Sequence, residues 1–355
     1  MDTLMVYSSV FNNRINYVFT HIFFRLLKQD FLLTSEIDKF LAHEGPKISY
    51  CDSRKGNEFH IKSHGLLHET GIREQNIEVT QWDGLKIFFK VEGDSDLPFD
   101  IFSTTFYMLS RYEEYFSHKE DQFGRFEAQD SLAFKNGFLF EAIIERWVLK
   151  FKDRLRVKYP ELDIPEWNYT FQSTIDIDNP FAFLHKGFIR TTGALIKSLI
   201  RFDIKTFISR ILTLRGITGD PFETYGYIHK LERKYNFVSI YFFLVGDYGR
   251  YDTNIPVKKL AYQNLIIDIH QNHKVGLHSS FNSNKSYKTL LEESKGCRKL
   301  LTCQLFVAGN IILCFRFLKH IRNSLKPVFV KTIPWDLQLL QGSGPVLVTR
   351  LNFMI

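Results

Sequence analysis

The stretch VSIYFFLV at residues 238–245 decides the reading of the fold. It carries no charge, is rich in β-branched and aromatic side chains, and is closed by Gly246. Such a run predicts a strand buried on both faces, where a strand with one wet face would alternate apolar and polar. Helical spacing precedes it over Phe222–Tyr235 and follows it over Val257–Gln271. A short strand is expected at Lys274–His278, and Ser286–Glu293 opens a further helix. Upstream, YTFQSTIDI (168–176) has strand composition. Arg190–Leu214 reads as a basic amphipathic helical segment broken near Phe202–Asp203. Strand–helix alternation of this kind predicts a parallel sheet or barrel, with reactive groups where strands end at their carboxyl side.

Residues 1–165 read as a separate mixed α/β domain. Asn12–Leu27 is apolar at helical spacing, and Lys47–Tyr50, Glu58–Ile61 and Leu85–Val91 are strand-like. Asp100–Phe116 and Leu139–Phe151 read as helices with an apolar stripe. Pro160 and Pro165 lie in a polar stretch taken as the linker. The expected organisation is therefore 1–165, then 166–295, then a tail over 296–355. The 355 residues are 45% hydrophobic and 15% aromatic, which excludes wholesale disorder and suits a globular enzyme or sugar-handling protein. The four cysteines (51, 297, 303 and 314) show neither a metal-ligand spacing nor a disulfide framework. No secretory leader is read at the start, so a reducing cytoplasm is expected. The net charge of +7 sits wholly in residues 296–355, which hold eight basic residues and one acid. The bulk of the chain is neutral, which argues against nucleic acid as a partner.

Chemistry is expected at two strand ends. In TIDIDN (174–179), Asp176 and Asp178 point to the same side of a strand and repel each other. A divalent cation resolves that repulsion and frees one carboxylate to act as a base. The alternative is that both only terminate the strand and cap the next turn. In VGLHSS (275–280), His278 ends a short strand and is a candidate ligand, or else a hydrogen-bonded structural histidine. The loop GDYGRYDT (246–253) brings Asp247, Tyr248 and Asp252 toward the same end, unless it is merely a solvated loop. His60, His64 and His68 are spaced by four, but two glycines and alternating apolar positions argue against one helix there. Residues 1–295 contain no phosphate-binding glycine pattern, and no nucleophile elbow supports a serine hydrolase.

The combination of these phrases resembles the polysaccharide deacetylase superfamily (carbohydrate esterase family 4), in particular a bacterial subgroup with an extra N-terminal α/β domain. The matching phrases are PFDIFSTTFYMLSRYEEY (98–115), FGRFEAQDSLAFKNGF (123–138), STIDIDNPFAF (173–183), VSIYFFLVGDYGRYDTNI (238–255) and KVGLHSSFNSN (274–284). The resemblance implies a distorted (β/α) barrel and metal-assisted hydrolysis of an N- or O-acetyl group on a sugar polymer. It implies Asp176 as general base, Asp178 and His278 as ligands of a zinc-like divalent metal, and a carbohydrate substrate. Asn179, Asp247, Tyr248, Ser279 and Asn282 are expected to line the site. Where the family's second motif places a second histidine, this chain has Asn282, a poor ligand for zinc. A non-catalytic carbohydrate-binding or assembly protein on the same fold is the alternative.

The later phrases of that subgroup, such as SRQH, FPET and GFRAGT, are absent after residue 295. Codons read one base out of register permit S-R-Q-H across Val307–Ile311, P-E-T across Phe317–His320, D-Y-T-M-G-F across Lys331–Leu337 and G-F-R-A-G across Gln341–Val346. The order and the frame are constant, so residues 296–355 read as a frameshifted tail and the chain is expected to be inactive as written. The rival reading is a membrane anchor over Leu300–Leu318. Gln304, Asn310 and Arg316 are costly in lipid and weigh against it.

Overall fold

Two parallel sheets organise the protein. A computed structural model describes residues 3–122, 125–168, 170–301 and 306–307. The described chain divides into two units after Thr170, just past the stretch read as the linker.

In the first unit, β1 (Leu4–Ser8), β2 (Phe31–Thr34), β3 (Lys47–Cys51) and β4 (Phe59–Lys62) form an all-parallel sheet in the order β2-β1-β3-β4. Every residue of the central strand β1 is buried, as a strand covered on both faces requires. Helix α1 (Asn13–Phe19) starts where the Asn12 side chain accepts from the Ile15 N–H, and runs on through a π-helical segment to Leu26. It packs Phe19 and Phe23 against Tyr50 of β3 and Phe102 of α3 (Ile101–Leu109). On the other face, Phe40 of α2 (Ile37–Ala42) covers Met5, Tyr7 and Cys51. The antiparallel hairpin β5 (Thr80–Trp82) and β6 (Leu85–Ile87), the short α4 (Leu132–Lys135) and α5 (Ile143–Lys158) complete the unit.

Several expected boundaries move, each for a local reason. The strand expected over Leu85–Val91 stops at Ile87, because Phe89 takes a left-handed φ of 55°. The helix expected over Asp100–Phe116 ends at Leu109. Arg111 is left-handed, and Tyr112–Tyr115 form a separate 3-10 turn. The helix expected from Leu139 begins only at Ile143 and continues to Lys158. His60, His64 and His68 fall on β4, a loop and a 3-10 turn. His60 is buried against Ser49, with Nδ1 2.8 Å from its hydroxyl, and His64 stacks on Phe89. These are packing roles.

The second unit holds β7 (Thr174–Ile177), β8 (Ile240–Leu244), β9 (Lys274–His278) and β10 (Phe306–Val307), all parallel, in the order β10-β9-β8-β7. Helices α6 (Phe188–Ile200), α7 (Ile204–Leu214) and α8 (Tyr225–Tyr235) connect β7 to β8. Helix α9 (Leu260–His270) connects β8 to β9, and α10 (Tyr287–Leu301) connects β9 to β10. All five residues of β8 are buried. Tyr241, Phe243, Leu277, Tyr262 and Ile266 form the core between sheet and α9. The strand expected over 168–176 is shorter, because β8 pairs only with Thr174–Ile177. Of the tail, the described part continues α10 to Leu301 and adds β10 beside β9. The rest of 296–355, including most of the Leu300–Leu318 stretch, lies outside the described residues. No described helix is long and apolar enough to cross a membrane.

Candidate functional site

Strand register sets the site. Asp176 pairs with Phe242 and thence Gly276, and Leu244 pairs with His278, so β7, β8 and β9 end along one edge. Asp178 follows β7 directly, and its carboxylate Oδ1 lies 3.5 Å from His278 Nε2. That is too long for a sound hydrogen bond. His278 is buried, and neither of its ring nitrogens has a hydrogen-bond partner among the described residues. Two ligands of one tetrahedral zinc at ordinary bond lengths would sit about 3.4 Å apart. The residues expected at the site thus include a pair at chelating separation, one member of which is a buried imidazole with its donors unspent.

Asp176 opens onto a cleft of about 320 Å³ whose other wall is Pro221, Phe222, Thr224, Tyr225 and Ile228. Its side chain is reached by solvent, but the surrounding protein removes part of its hydration. That desolvation holds its pKa above the ordinary carboxyl range; His278 pulls it back and the Asp178 charge adds to the rise. A carboxylate held up in this way is a stronger base than an ordinary one.

The remaining expected residues are dispersed. Asn179 accepts a hydrogen bond from Lys186, whose ammonium is pushed down to about 8 by burial and then by Arg190. Ser279 is buried next to His278. Asn282 is exposed at the start of a 3-10 turn. Asp247 and Tyr248 are exposed, and the Arg190 guanidinium lies 4.2 Å from the Tyr248 ring centroid. The loop's buried contribution is Asp252. Its carboxylate accepts from the Phe281 N–H and interacts electrostatically with both His278 and Asp178. Burial holds Asp252 above the usual range, and the same holds for Glu293, which accepts from the Ser280 hydroxyl. The folded state therefore keeps protons on Asp176, Asp252 and Glu293 to higher pH than the unfolded chain does. Their contribution to stability is complete below the ordinary carboxyl range and is lost as pH rises through the raised values.

Two further residues place these groups. Asp220 accepts from the N–H groups of Ala182, Phe183, Leu184 and Phe222, and so ties the loop after β7 to the start of α8. Gly246 lets the chain after β8 pass close to Ser280: a Cβ there would lie 2.4 Å from the Ser280 Cβ and 3.0 Å from Glu293 Oε1. Gly246→Ala is expected to destabilise the second unit by about 1–3 kcal/mol through this overpacking. Urea denaturation checks it, and an unchanged midpoint would show that the loop gives way freely.

A second group, His229, Glu232 and His273, lies at the opposite, amino ends of β8 and β9, with ligand atoms within 4.8 Å of one another. The two imidazoles are stacked, 13° from parallel, and His273 Nε2 is 2.9 Å from the Glu232 carboxylate. Lone pairs lie in the ring planes, so stacked rings aim them side by side. The group fits a helix-to-strand clamp better than a chelate.

Residues 4–160 match a family of unknown function, DUF7033. No curated protein and no solved structure matches the chain.

Proposed function

We propose that the second unit is polysaccharide deacetylase-like, and that β7–β10 are the opening strands of a distorted (β/α) barrel. The strand order supports this, since each new strand adds beside its predecessor without reversal. The observation that carries the chemistry is the 3.5 Å separation between Asp178 Oδ1 and the buried His278 Nε2, which makes no hydrogen bond among the described residues. These two residues would hold a divalent, zinc-like ion, with Asp252 adding negative charge behind them. Such an ion, when bound, polarises an acyl carbonyl and acidifies water. As water attacks the acyl carbon, Asp176, on the open side of the cleft, accepts its proton at the carboxylate, and a proton passes to the sugar nitrogen or oxygen as its bond to the acyl carbon breaks. Phe222 and Tyr225 offer an aromatic wall to a sugar ring. A reducing cytoplasmic setting is in keeping with the free thiol of Cys51.

One observation favours the second reading, a carbohydrate-binding protein without turnover. Asn282 is exposed and supplies no second imidazole, so the chain as written is slow or inactive. Acetate release from N- and O-acetylated sugar oligomers, measured with Zn²⁺ present, separates the two. Release that falls about a hundredfold or more in Asp176→Asn supports the enzyme. Oligosaccharide binding that needs Phe222 but releases no acetate supports the binding protein. Neither binding nor release rejects both.

A further inference from the structure

The connection between β7 and β8 presents an apolar, basic surface that the candidate site does not use. In α6, Ile189, Ile196 and Ile200 recur at i, i+7 and i+11, which places them on one face of the helix. They are 84%, 56% and 72% exposed. Phe202, at the turn into α7, is left-handed and 87% exposed, and Ile208 of α7 is exposed as well. Among the described residues each helix has the other as its main packing partner, so the pair forms a hairpin whose stripe is exposed. Large apolar side chains exposed together in this way mark an interaction surface.

The charges beside it identify the partner chemistry. Residues 188–215 hold six basic side chains and one acid, Asp203. That acid caps α7 by accepting from the Thr206 N–H. Lys197, Arg201 and Lys205 are exposed close to the stripe and the turn, long enough to stay in headgroups while the aliphatic residues enter the acyl boundary. At 13 and 11 residues, α6 and α7 are too short to span a bilayer, so they would lie in its plane. We propose that the α6–α7 hairpin docks the protein on the surface of an anionic lipid bilayer, with Ile200 and Phe202 as its apolar anchors.

The test is flotation of the full chain with neutral phosphatidylcholine vesicles and with vesicles containing about 30 mol % phosphatidylglycerol, where an anionic surface attracts nearby basic residues. Association with the anionic vesicles should be at least about tenfold stronger and should weaken as salt is raised. Ile200→Asp with Phe202→Asp should abolish it while the circular dichroism of the chain is unchanged. Arg201→Gln with Lys205→Gln should remove only the preference for anionic vesicles. Absent binding, equal binding to both vesicles, or full binding by the double Asp variant would overturn the proposal. So would a dimer, seen by light scattering, that the double Asp variant converts to monomer, since a second copy would then cover the stripe.

Discussion

His278→Ala is expected to weaken Zn²⁺ binding by the second unit about a hundredfold or more, and Asp178→Asn to do nearly as much. The imidazole is buried, ends β9, and has no hydrogen bond among the described residues to compensate for the change. Substitutions even one step removed from a metal cost 10–100-fold as a general scale, so loss of a direct ligand should cost at least the upper part of it. Asp247→Asn is the control: that residue is exposed and outside the Asp178–His278 pair. Protons compete with the metal for imidazole, so affinity should fall as pH is lowered. The raised carboxyls act in the same direction. Asp176 and Asp252 are more protonated at low pH, and a cation relieves the repulsion of each with Asp178 only once they ionise. Added Zn²⁺ should therefore raise the melting temperature more at pH 8 than at pH 5. Competition against a colorimetric chelator measures the affinities. Equal affinity in the parent chain and in His278→Ala would remove the metal from this edge of the sheet.

How much of this was legible in the sequence depended on whether local physics or tertiary contact decides each feature. The buried strand at 240–244 could be read because eight residues without charge leave no wet face to alternate. The break in the basic helix could be read too: Phe202 is left-handed and Asp203 caps the next helix, a turn with its own chemistry. The end of β9 at His278 followed from strand composition alone. The helix stop at Arg111 could not be read, because a left-handed arginine leaves no mark in an otherwise continuous apolar pattern. In GDYGRYDT, composition offers Asp247 and Asp252 on equal terms. What selects Asp252 is its hydrogen bond from the Phe281 backbone, which is remote in sequence. Asp220 was missed for the same reason, since its four N–H donors come mostly from a loop nearly forty residues upstream. Residues whose role is to be reached by distant backbone carry no periodicity.

The first unit supplies the largest expected stability effect, at Asp100. Its carboxylate is fully buried and accepts five hydrogen bonds. Oδ1 takes the Phe102 and Ser103 N–H groups and so caps α3. Oδ2 takes the Tyr50 hydroxyl of β3, the Ser103 hydroxyl and the His64 N–H beyond β4. One side chain thus joins a helix start to β3 and to the loop that follows β4. Loss of a helix cap alone costs about 1 kcal/mol. Asp100→Ala in addition strands buried donors, of which Tyr50 is wholly enclosed among Phe19, Phe102 and the sheet. Each unsatisfied donor costs about 1–3 kcal/mol, with partial relief where water can enter. The expected total is about 4 kcal/mol, against about 1 kcal/mol for Tyr50→Phe, which removes a single donor together with its demand. Asp100→Asn should fall between them, because its oxygen still caps α3 while its amide meets the His64 N–H donor to donor. Denaturant unfolding of the full chain, followed by far-ultraviolet circular dichroism, orders the three variants. A loss at Asp100→Ala no greater than at Tyr50→Phe would mean that the other four hydrogen bonds add nothing, and that packing alone holds α3 against the sheet.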